Sequence, residues 1–426
     1  MNILIIGAGG REHCFAWKIK QSTHCDALFI APGNAGTETL GTNLDIAVTD
    51  FENLASAVLT HNISLILVGP EEPLVKGIVA FFNNNEATKH IKMIGPSAEA
   101  AQLEGSKAFA KDFMTRHNIP TAAYVEFTKN DFEKGISYIE KQSLPLVLEA
   151  DGLAAGKGVI ICTTHAEAKI EFELMLLQSK FGEAGNKVVI EAFLQGIEMS
   201  VFVLTDGKNY VLLPEAKDYK RIGEGDTGLN TGGMGAVSPV PIMNEILKEK
   251  IIAKIIEPTI KGFAKDALPY KGFVFVGLMI NDNEPFVIEY NCRMGDPETE
   301  VVIPRIQNDL VELLLATSNE TLDSIEVQTI PETAVGIVAV SGGYPGAYKN
   351  DKIITGLHNL PIENELIFQA GTKKDGANIV TNGGRVLVSV SLEKNIAAAA
   401  KKSSQALEKI NFENCYFRKD IGYEFS

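Results

Sequence analysis

Short apolar runs alternate with helix-period segments over the first hundred residues. Apolar strands are predicted at residues 2–6, in LFIAPGN, in SLILVGPEEPL and in MIGPS, and each ends in a glycine or proline turn. Between them lie segments with helical apolar spacing, as in Phe15, Ala16 and Ile19. This alternation predicts a parallel sheet whose loops gather at the carboxyl ends of the strands, where α/β sheets place ligands.

The pattern changes after residue 120. Pro120 ends a helix predicted over 105–117, and a smaller unit follows with strands AAYVEF, LPLVLEADG, VIICT and KVVIEAFL and helices near 131–142 and 165–179. Residues 198–220 have strand patterns, and KDYKRIGEGDTGLNTGGMGAVSPVP is predicted as one long loop.

The remaining chain predicts a mixed architecture. A helix near 243–265, the strand pair GFVFVGLMI and EPFVIEYN, and an amphipathic helix after Pro304 come first. The last hundred residues, with a helix near 394–410, have the pattern of a separate α+β unit. The fold class is therefore α/β and α+β, with several domains.

Composition narrows the function classes. A chain of 426 residues implies roughly two to four domains. Its net charge of −15 argues against a nucleic-acid partner. The five cysteines lack CxxC spacing, and no apolar run is long enough for a signal peptide or a membrane span. We expect a cytoplasmic monomer.

The segment GAGGREH follows the first strand and opens the first predicted helix. The dinucleotide fingerprint GxGxxG does not fit, because its third glycine falls on Glu12 and the second strand ends without an acid for a ribose hydroxyl. A phosphate or substrate on the backbone amides around Gly9 and Gly10, with Arg11 beside it, is one interpretation. A plain tight turn is the alternative, and a nicotinamide cofactor is disfavoured.

A second glycine-rich segment, GLAAGKG, lies between two apolar strands. It is not a P-loop, because Gly158 stands where GxxxxGK[ST] requires a hydroxyl. Its setting favours a mobile flap that folds over a polyphosphate, with Lys157 as its charge. A simple hairpin turn is the alternative.

The stretch EPFVIEYNCRMGDPETE is the most informative. Residues two apart on a strand share a face, so Glu289, Asn291 and Arg293 are predicted to project together. Phe286, Ile288 and Tyr290 are predicted to face the other way. A carboxylate beside an amide oxygen suits Mg²⁺, and Arg293 adds a planar fork for a phosphate or carboxylate. A solvated strand face is the alternative.

The segment NTGGMGA is either a substrate loop or a mobile surface loop. Its basic lead-in, with Lys217, Lys220 and Arg221, offers a place for anions in an acidic protein.

Ten motifs occur in order along the chain: GGREH, APGNAGT, GPEEPLVKG, QLEGSKAFAK, ADGLAAGKGV, NTGGMGA, YNCRMGDPET, SGGYPG, TNGGRV and FRKDIG. Together they resemble the phosphoribosylamine–glycine ligases (glycinamide ribonucleotide synthetases) of the ATP-grasp superfamily over essentially the whole chain. The resemblance implies ATP-dependent ligation of glycine to 5-phosphoribosylamine in purine biosynthesis. It also implies an ATP-grasp fold with a Rossmann-like domain at 1–102, a central domain at 103–325 with a lid near 122–190, and an α+β domain at 326–426.

The resemblance implies roles for individual residues. Metal ligands for Mg²⁺ or Mn²⁺ are Glu289 and Asn291. The ATP-binding positions are Lys107, Gly156, Lys157, Gly158, Glu191, Ala192, Phe193, Leu194 and Glu198. The positions on the phosphoribosylamine side are Gly9, Gly10, Arg11, Asn34, Glu71, Asp218 and Lys220. The candidate catalytic residues are Arg293, Asp296 and Lys157, with the first two between the substrate sites.

In the implied reaction, the glycine carboxylate attacks the γ-phosphate of ATP to give glycyl phosphate, and the ribosylamine nitrogen then displaces phosphate. No enzyme nucleophile is required. Catalysis depends on alignment and on neutralising the charge that spreads over the phosphate oxygens. Closure of a glycine flap would keep water from the acyl phosphate.

The chain departs from the family pattern at Glu149, where the motif IKADG typically has a lysine. Opposite unit charges ~4 Å apart near a protein surface interact by about 4 kcal/mol, so a reversed sign predicts weakened ATP binding unless Glu149 turns away or a metal ion screens it. Ala192, where a second acid is usual, and Tyr219, where histidine is common, are milder departures.

Two alternative functions stay open at this point. Another ATP-grasp ligase, such as a biotin carboxylase-like or formate-using enzyme, would share the flap and the metal strand. A catalytically impaired nucleotide-binding homologue is suggested by Glu149.

Overall fold

The architecture comes from a computed structural model, which describes residues 1–152, 158–178, 180, 187–357 and 365–425. The predicted flap residues Gly156 and Lys157 lie outside the described residues.

Five strands and six helices precede residue 120. The strands are β1 (Asn2–Gly7), β2 (Ala27–Pro32), β3 (Thr42–Asn43), β4 (Ile63–Val68) and β5 (Lys92–Pro96). The helices are α1 (Gly10–Ile19), α2 (Phe51–Thr60), α3 (Glu71–Val75), α4 (Ile78–Asn84), α5 (Gln102–Gly105) and α6 (Lys107–Arg116). The strands pair in parallel in the order β3-β2-β1-β4-β5, so the loops after β1, β2 and β4 meet at one edge, as the sequence predicted.

The segment in which a lid was predicted, called the lid below, is a small unit with its own core. Its elements are β6 (Tyr124–Thr128), α7 (Phe132–Ile139), β7 (Leu146–Ala150), β8 (Val159–Cys162), α8 (His165–Leu176) and β9 (Lys187–Ala192). The strands form an antiparallel sheet in the order β6-β9-β7-β8. Phe172 of α8 is fully buried and stacks on Phe132 of α7, and both pack over Leu148 and Ile190 of the sheet.

The central part of the chain extends the N-terminal sheet. Its elements are β10 (Ile197–Thr205), β11 (Tyr210–Leu212), β12 (Lys217–Asp218), β13 (Arg221–Gly223), β14 (Thr227–Asn230), β15 (Gly235–Ser238), α9 (Glu245–Ile251), α10 (Glu257–Lys265), β16 (Tyr270–Asn281) and β17 (Glu284–Asn291). Strand β16 pairs with β10 and β17 along most of its length, while Tyr270 and Lys271 pair with Pro96 and Gly95 of β5. Within the described ranges this joins nine strands into one sheet.

The glycine-rich stretch after residue 216 differs from its predicted form as one long loop, because β12 to β15 divide it into short paired strands. The guanidinium of Arg418, which is fully buried, lies 2.7 Å from Asp226 and donates to the carbonyl oxygen of Arg221 at 3.0 Å. These partners lie almost two hundred residues away in sequence, so local patterns carry no sign of them.

The C-terminal sheet completes the fold. The remaining elements are α11 (Glu298–Val302), α12 (Leu310–Asn319), β18 (Thr333–Val340), β19 (Ile353–Ile354), β20 (Glu365–Gln369), β21 (Thr372–Asp375), β22 (Asn378–Thr381), β23 (Arg385–Glu393) and α13 (Ile396–Leu407). One sheet has the order β12-β15-β18-β23-β20, with α13 packed on β18 and β23. Among the described helices, none has both the length and the apolar character needed to cross a bilayer.

Replacement of Phe172 by alanine tests the independence of the lid core. We expect Phe172→Ala to cost about 3–5 kcal/mol of local stability, because it removes a fully buried ring. Hydrogen exchange should accelerate in the lid strands and stay unchanged in β1 and β4. Ile170→Ala is the control, since that side chain is 59% exposed on the same helix. Equal acceleration in β1 would show that the lid does not open separately.

Candidate active site

The start of α6 is fixed by polar groups from two parts of the chain. Ser106 caps the helix by accepting from the backbone N–H of Phe109 at 3.1 Å, and its hydroxyl donates to Asp151 Oδ1 at 2.8 Å. The same carboxylate oxygen accepts from the N–H of Ala108 at 3.1 Å. Because Asp151 directly follows β7, the lid itself holds the end of α6 that carries Lys107.

Lys107 lies between the lid and the central sheet. Its Nζ is 3.5 Å from Glu149 Oε2 on the lid and 3.3 Å from Glu289 Oε2 on β17. Burial alone would lower the pKa of Lys107, but Glu149 and Glu289 raise it above its usual range. Burial alone would raise the pKa of Glu289, but Lys107 and Lys220 lower it to about 2. Lys107 and Glu289 therefore remain ionised at neutral pH. The Glu149 side chain lies beside Lys107 rather than turned away from it.

A second buried ion pair lies one helical turn further along α6. Lys111 Nζ donates to Glu191 Oε2 at 2.7 Å and to Thr121 Oγ1 at 2.8 Å. Burial, followed by the nearby carboxylate of Glu149, raises the pKa of Glu191 to about 7. The residues that follow Glu191 on the chain, Ala192 to Leu194, connect the lid to β10.

Strand β17 contains an irregularity that the sequence did not reveal. Glu289 pairs with Gly277 and Val287 with Leu278, so Ile288 has no partner in the register. Ile288 and Glu289 consequently line the same cleft, and the prediction that they face opposite ways is wrong. Arg293 lies beyond the end of the strand rather than on its face.

The cleft beside Glu289 brings together four of the predicted residues. Its walls include Glu198 of β10, Asp218 and Lys220 of the divided stretch, and Glu289. Lys220 Nζ donates to Glu198 Oε2 at 2.9 Å. Asp218 and Lys220, which we expected on the phosphoribosylamine side, thus lie in the same cleft as positions expected to contact ATP.

Arg293 links two acidic residues of the N-terminal region. Its Nη2 donates to Glu104 Oε1 at 2.6 Å, and its Nε is 3.4 Å from Glu71 Oε2. Burial raises the pKa of Glu104 to about 7 despite the opposing charge of Arg293. Glu71, which was predicted on the phosphoribosylamine side, therefore lies next to the candidate catalytic residue Arg293.

A second cleft, of about 290 Å³, opens between the N-terminal loops and the C-terminal sheet. Three of the residues predicted as site residues line this cleft, namely Gly9, Asn34 and Asp296. The C-terminal lining is Ala370, Gly371, Thr372, Asn382 and Arg385. Two regions far apart in sequence therefore share this cleft.

The N-terminus of α1 differs from the expected phosphate site. The Gly9 N–H donates to Glu12 Oε2 at 2.6 Å, and the Arg11 N–H reaches Asp296 Oδ2 at 3.4 Å. The Arg11 side chain is buried and donates to Glu12 Oε1 and to the carbonyl oxygen of Met294. Protein carboxylates thus occupy amides that a phosphate would need, which a glycine pattern could not show.

Asn34 shapes the second cleft through backbone contacts. Its Nδ2 donates to the carbonyl oxygens of Ala8 and Gln369 at 2.8 and 2.7 Å, while Oδ1 accepts from the N–H groups of Gly36 and Thr37. This amide joins the loops after β1 and β2 to the end of β20 and positions the cleft wall.

Arg385 is a candidate residue that the sequence analysis missed. Its Nη2 is 2.9 Å from Asp296 Oδ1, and Nη1 donates to the carbonyl oxygen of Gly232 at 2.6 Å. Burial alone would raise the pKa of Asp296, but Arg385 and then Arg11 lower it. The motif TNGGRV contained the signal, an arginine after two glycines at the start of a strand, but nothing local linked it to Asp296.

Glu300 is a second residue that the analysis missed. Its side chain is fully buried on α11, and neither carboxyl oxygen has a hydrogen-bond partner among the described residues. A Cβ on Gly10 would collide with this carboxyl, which explains the glycine at the start of α1. Burial, and then Asp296, raise the pKa of Glu300 well above its usual range. The group therefore stays protonated in the fold.

Comparison with known proteins identifies the family of this chain. Family models of phosphoribosylglycinamide synthetase match residues 1–104 (N domain), 105–299 (ATP-grasp domain) and 334–424 (C domain). The chain belongs to the phosphoribosylglycinamide synthetase family. The match includes both clefts, because their walls come from all three regions.

Relatives within this family are similar over their full length. A phosphoribosylamine–glycine ligase of Vibrio vulnificus is 47% identical over 427 residues, covering 99% of this chain and 98% of that protein. One from Pseudomonas aeruginosa is 45% identical over 426 residues, covering 99% and 98%.

Solved structures agree with the fold. The crystal structure of a phosphoribosylamine–glycine ligase from Thermotoga maritima matches with a TM-score of 0.84 and 34% identity, covering 99% of this chain and all of that one. The biotin carboxylase domain of a 2-oxoglutarate carboxylase from Hydrogenobacter thermophilus, solved with MgADP, matches with a TM-score of 0.75 and 15% identity, covering 98% and 92%. The second likeness shows a shared fold alone.

Glu300→Gln tests the buried carboxyl through the pH dependence of stability. The unfolded carboxyl ionises near pH 4.3. The folded one retains its proton, so rising pH favours unfolding by up to about 1.4 kcal/mol per pH unit until the folded pKa is reached. The glutamine amide does not titrate, so the variant lacks this dependence of stability on pH. The stability of Glu300→Gln relative to the native chain should therefore increase from pH 5 to pH 8, as measured by urea unfolding.

The matched control is Glu245→Gln, because that side chain is 84% exposed. If the difference in unfolding free energy between the native chain and Glu300→Gln stays constant from pH 5 to pH 8, Glu300 is not protonated in the folded state.

Proposed function

We propose that this chain is an ATP-dependent carbon–nitrogen ligase that joins glycine to 5-phosphoribosylamine and yields glycinamide ribonucleotide, ADP and phosphate in purine biosynthesis. The observation that carries the proposal is the family match along all three regions, together with relatives above 40% identity across the whole chain. Two separate clefts, a narrow charged one around Glu289 and a wider one of about 290 Å³ against the C-terminal sheet, support separate sites for two substrates.

We assign ATP to the cleft between the lid and the central sheet. Lys107 and Lys220 supply positive charge there, Glu198 contacts the ribose, and Glu191 to Leu194 border the adenine. The same assignment includes Gly158, which is buried just before β8, and the predicted flap position Lys157. Charge-assisted contacts of this kind hold a polyphosphate in a fixed direction.

The donor set of β17 fits a divalent cation. Glu289 is an ionised carboxylate in the cleft, and Asn291 offers an amide oxygen two residues along. Mg²⁺ prefers one or two such ligands together with water and phosphate oxygens. When bound, the ion would neutralise charge on the phosphate oxygens. We assign Glu289 and Asn291 to Mg²⁺ or Mn²⁺.

We assign phosphoribosylamine to the second cleft. Gly9 and Asn34 line its N-terminal wall, with Gly10 next to Gly9 in the chain, and Asp296 with Arg385 forms the opposite wall. Arg293 and its partner Glu71 lie towards the nucleotide side. Asp296, held ionised by Arg385, is placed to accept a hydrogen bond from the substrate amine.

The proposed reaction consists of two steps, a phosphoryl transfer to glycine and a glycyl transfer to the amine. A glycine carboxylate oxygen attacks the γ-phosphorus of ATP, the bond to the bridging oxygen breaks, and ADP leaves. The phosphoribosylamine nitrogen then attacks the carbonyl carbon of glycyl phosphate, releases phosphate and loses a proton. The residues of this chain align the reactants and stabilise anionic charge, which supplies most of the catalysis in phosphoryl transfer. Closure of the lid over the cleft would exclude water from glycyl phosphate.

A coupled ADP-release assay tests the proposed function. Release should require both glycine and phosphoribosylamine, because neither alone completes the ligation. Activity that needs bicarbonate or formate instead would assign another ATP-grasp reaction. Nucleotide binding without any ADP release would favour an impaired homologue, the second candidate suggested by Glu149.

Arg385→Met tests the assignment of the second cleft. Hydrogen bonds to charged groups contribute about 1.5–3 kcal/mol, so the KM for phosphoribosylamine should rise roughly 10- to 100-fold. The KM for ATP should change little, since Arg385 lies in the other cleft. Lys373→Met is the control, because that side chain is 45% exposed and pairs with Asp351. An equal rise in both KM values would indicate a general structural loss.

A further inference from the structure

His13 belongs to the motif GGREH, yet it is not among the described residues that line either cleft. Its side chain is 7% exposed and lies in the first turn of α1, one helical turn after Gly9. The ring meets Phe368 of β20 edge-on at 5.7 Å between centroids, and a Cβ on Gly36 would lie 2.2 Å from its Cε1. The imidazole is therefore enclosed by three parts of the chain: α1, the loop after β2 and the end of β20.

A ring nitrogen of His13 binds a backbone group at the edge of the C-terminal sheet. Strand β20 is the last in the order β12-β15-β18-β23-β20, and an edge strand presents N–H and C=O groups that no neighbouring strand pairs. The Gln369 N–H donates to His13 Nδ1 at 2.8 Å, and the Gln369 carbonyl oxygen accepts from Asn34 Nδ2 at 2.7 Å. Side chains of the N-terminal region thus bind both backbone groups of this residue.

The contact requires an unprotonated Nδ1 on His13, because a backbone N–H can only donate. Burial lowers the pKa of His13 to about 4, so the imidazole is neutral at neutral pH and accepts the bond. Asparagine carries an acceptor oxygen at the same branch of the side chain, whereas leucine carries a methyl group there. Replacement by these two residues therefore separates the acceptor from the bulk of the side chain.

The bond between His13 and Gln369 connects the two walls of the second cleft. Gly9 and Asn34 line the N-terminal wall, and residues 370–372, which follow Gln369 directly, line the C-terminal wall. Gln369 is buried, so its N–H would lose a partner in a poorly solvated place if His13 Nδ1 were removed. The end of β20 would then shift to bring this group to water, and residues 370–372 would move with it.

We propose that His13 is a positioning residue for the second cleft, because its acceptor nitrogen fixes residues 370–372 at the spacing from Gly9 and Asn34 that one substrate can bridge. The inference rests on the proposed function, which assigns phosphoribosylamine to this cleft. A substrate held by both walls loses contacts when one wall moves, and a displacement of about 1 Å can lower a rate roughly 100-fold. The described lining of the cleft assigned to ATP includes none of these residues.

Two replacements of His13 test the acceptor in steady-state kinetics. His13→Leu removes it, so the KM for phosphoribosylamine should rise about tenfold while the KM for ATP stays within about twofold of the native value. His13→Asn keeps an acceptor and should restore most of the difference. His24→Leu is the control, since that histidine is 45% exposed and pairs with Glu312. A native KM for phosphoribosylamine in the leucine variant, or equal losses with leucine and asparagine, would overturn the proposal.

Gly36→Ala displaces the ring without replacing the histidine, and it guards against a leucine variant that fails to fold. Gly36 has φ −76°, which alanine adopts without strain, but the new methyl group would lie 2.2 Å from His13 Cε1. Gly36 is not among the described residues that line the clefts. The KM for phosphoribosylamine should rise in this variant as in His13→Leu. A native KM would contradict positioning through His13.

Hydrogen exchange tests the same bond without any substrate. Exchange in the segment 366–372 should accelerate in His13→Leu and in Gly36→Ala, remain near native in His13→Asn, and stay unchanged in β1 in all three variants. Native protection of this segment in His13→Leu would show that the bond does not hold the wall, and would overturn the proposal. The measurement needs neither ATP nor phosphoribosylamine. A native chain without ligase activity would therefore reject the proposed function and leave the exchange result standing.

Discussion

The buried Lys107 ammonium joins the lid to the central sheet, and the geometry of the cleft assigned to ATP depends on it. One carboxylate partner comes from β7 and the other from β17, while Asp151 of the lid caps the helix that carries the lysine. Removing either partner of a buried pair leaves an uncompensated charge in a poorly solvated site, which is strongly destabilising. The ion pairs thus add charge contacts between the lid, α6 and β17, and α6 also packs on β17 through the rings of Phe113 and Tyr290.

Regular elements could be predicted from the sequence because their signals are local. The parallel strands, the lid strands and the loops gathered after β1, β2 and β4 follow from apolar periodicity and turn residues. The bulge at Ile288 could not be predicted, since the residues from Pro285 to Ile288 are all apolar and carry no alternation that would reveal a shift in register. Arg418 contacts the stretch after residue 216 from almost two hundred residues away, and no local pattern reports so distant a contact.

The candidate sites show the same limit. Lys107, Glu198 and Glu289 were found from motifs and do lie around one cleft. The motifs could not show that Arg11 and Asn34 direct their polar atoms to the protein's own groups. Arg385 was missed because its meaning lies in its distance from Asp296, which belongs to a segment almost ninety residues earlier. Residue types suggest a chemistry, whereas partners decide which groups remain free to perform it.

The pairing of β5 with β16 has a consequence for the order of events in catalysis. Tyr270 and Lys271 continue the ladder from the N-terminal strands into the central ones, so both clefts border a single hydrogen-bonded platform. On the proposed assignment of the two clefts, a short-lived acyl phosphate made at one border faces its acceptor across a span fixed by the paired strands. Transfer of glycyl phosphate from the first half-reaction to the second then requires no rearrangement of this sheet. The lid has a separate core, so its movement sets when the second step begins.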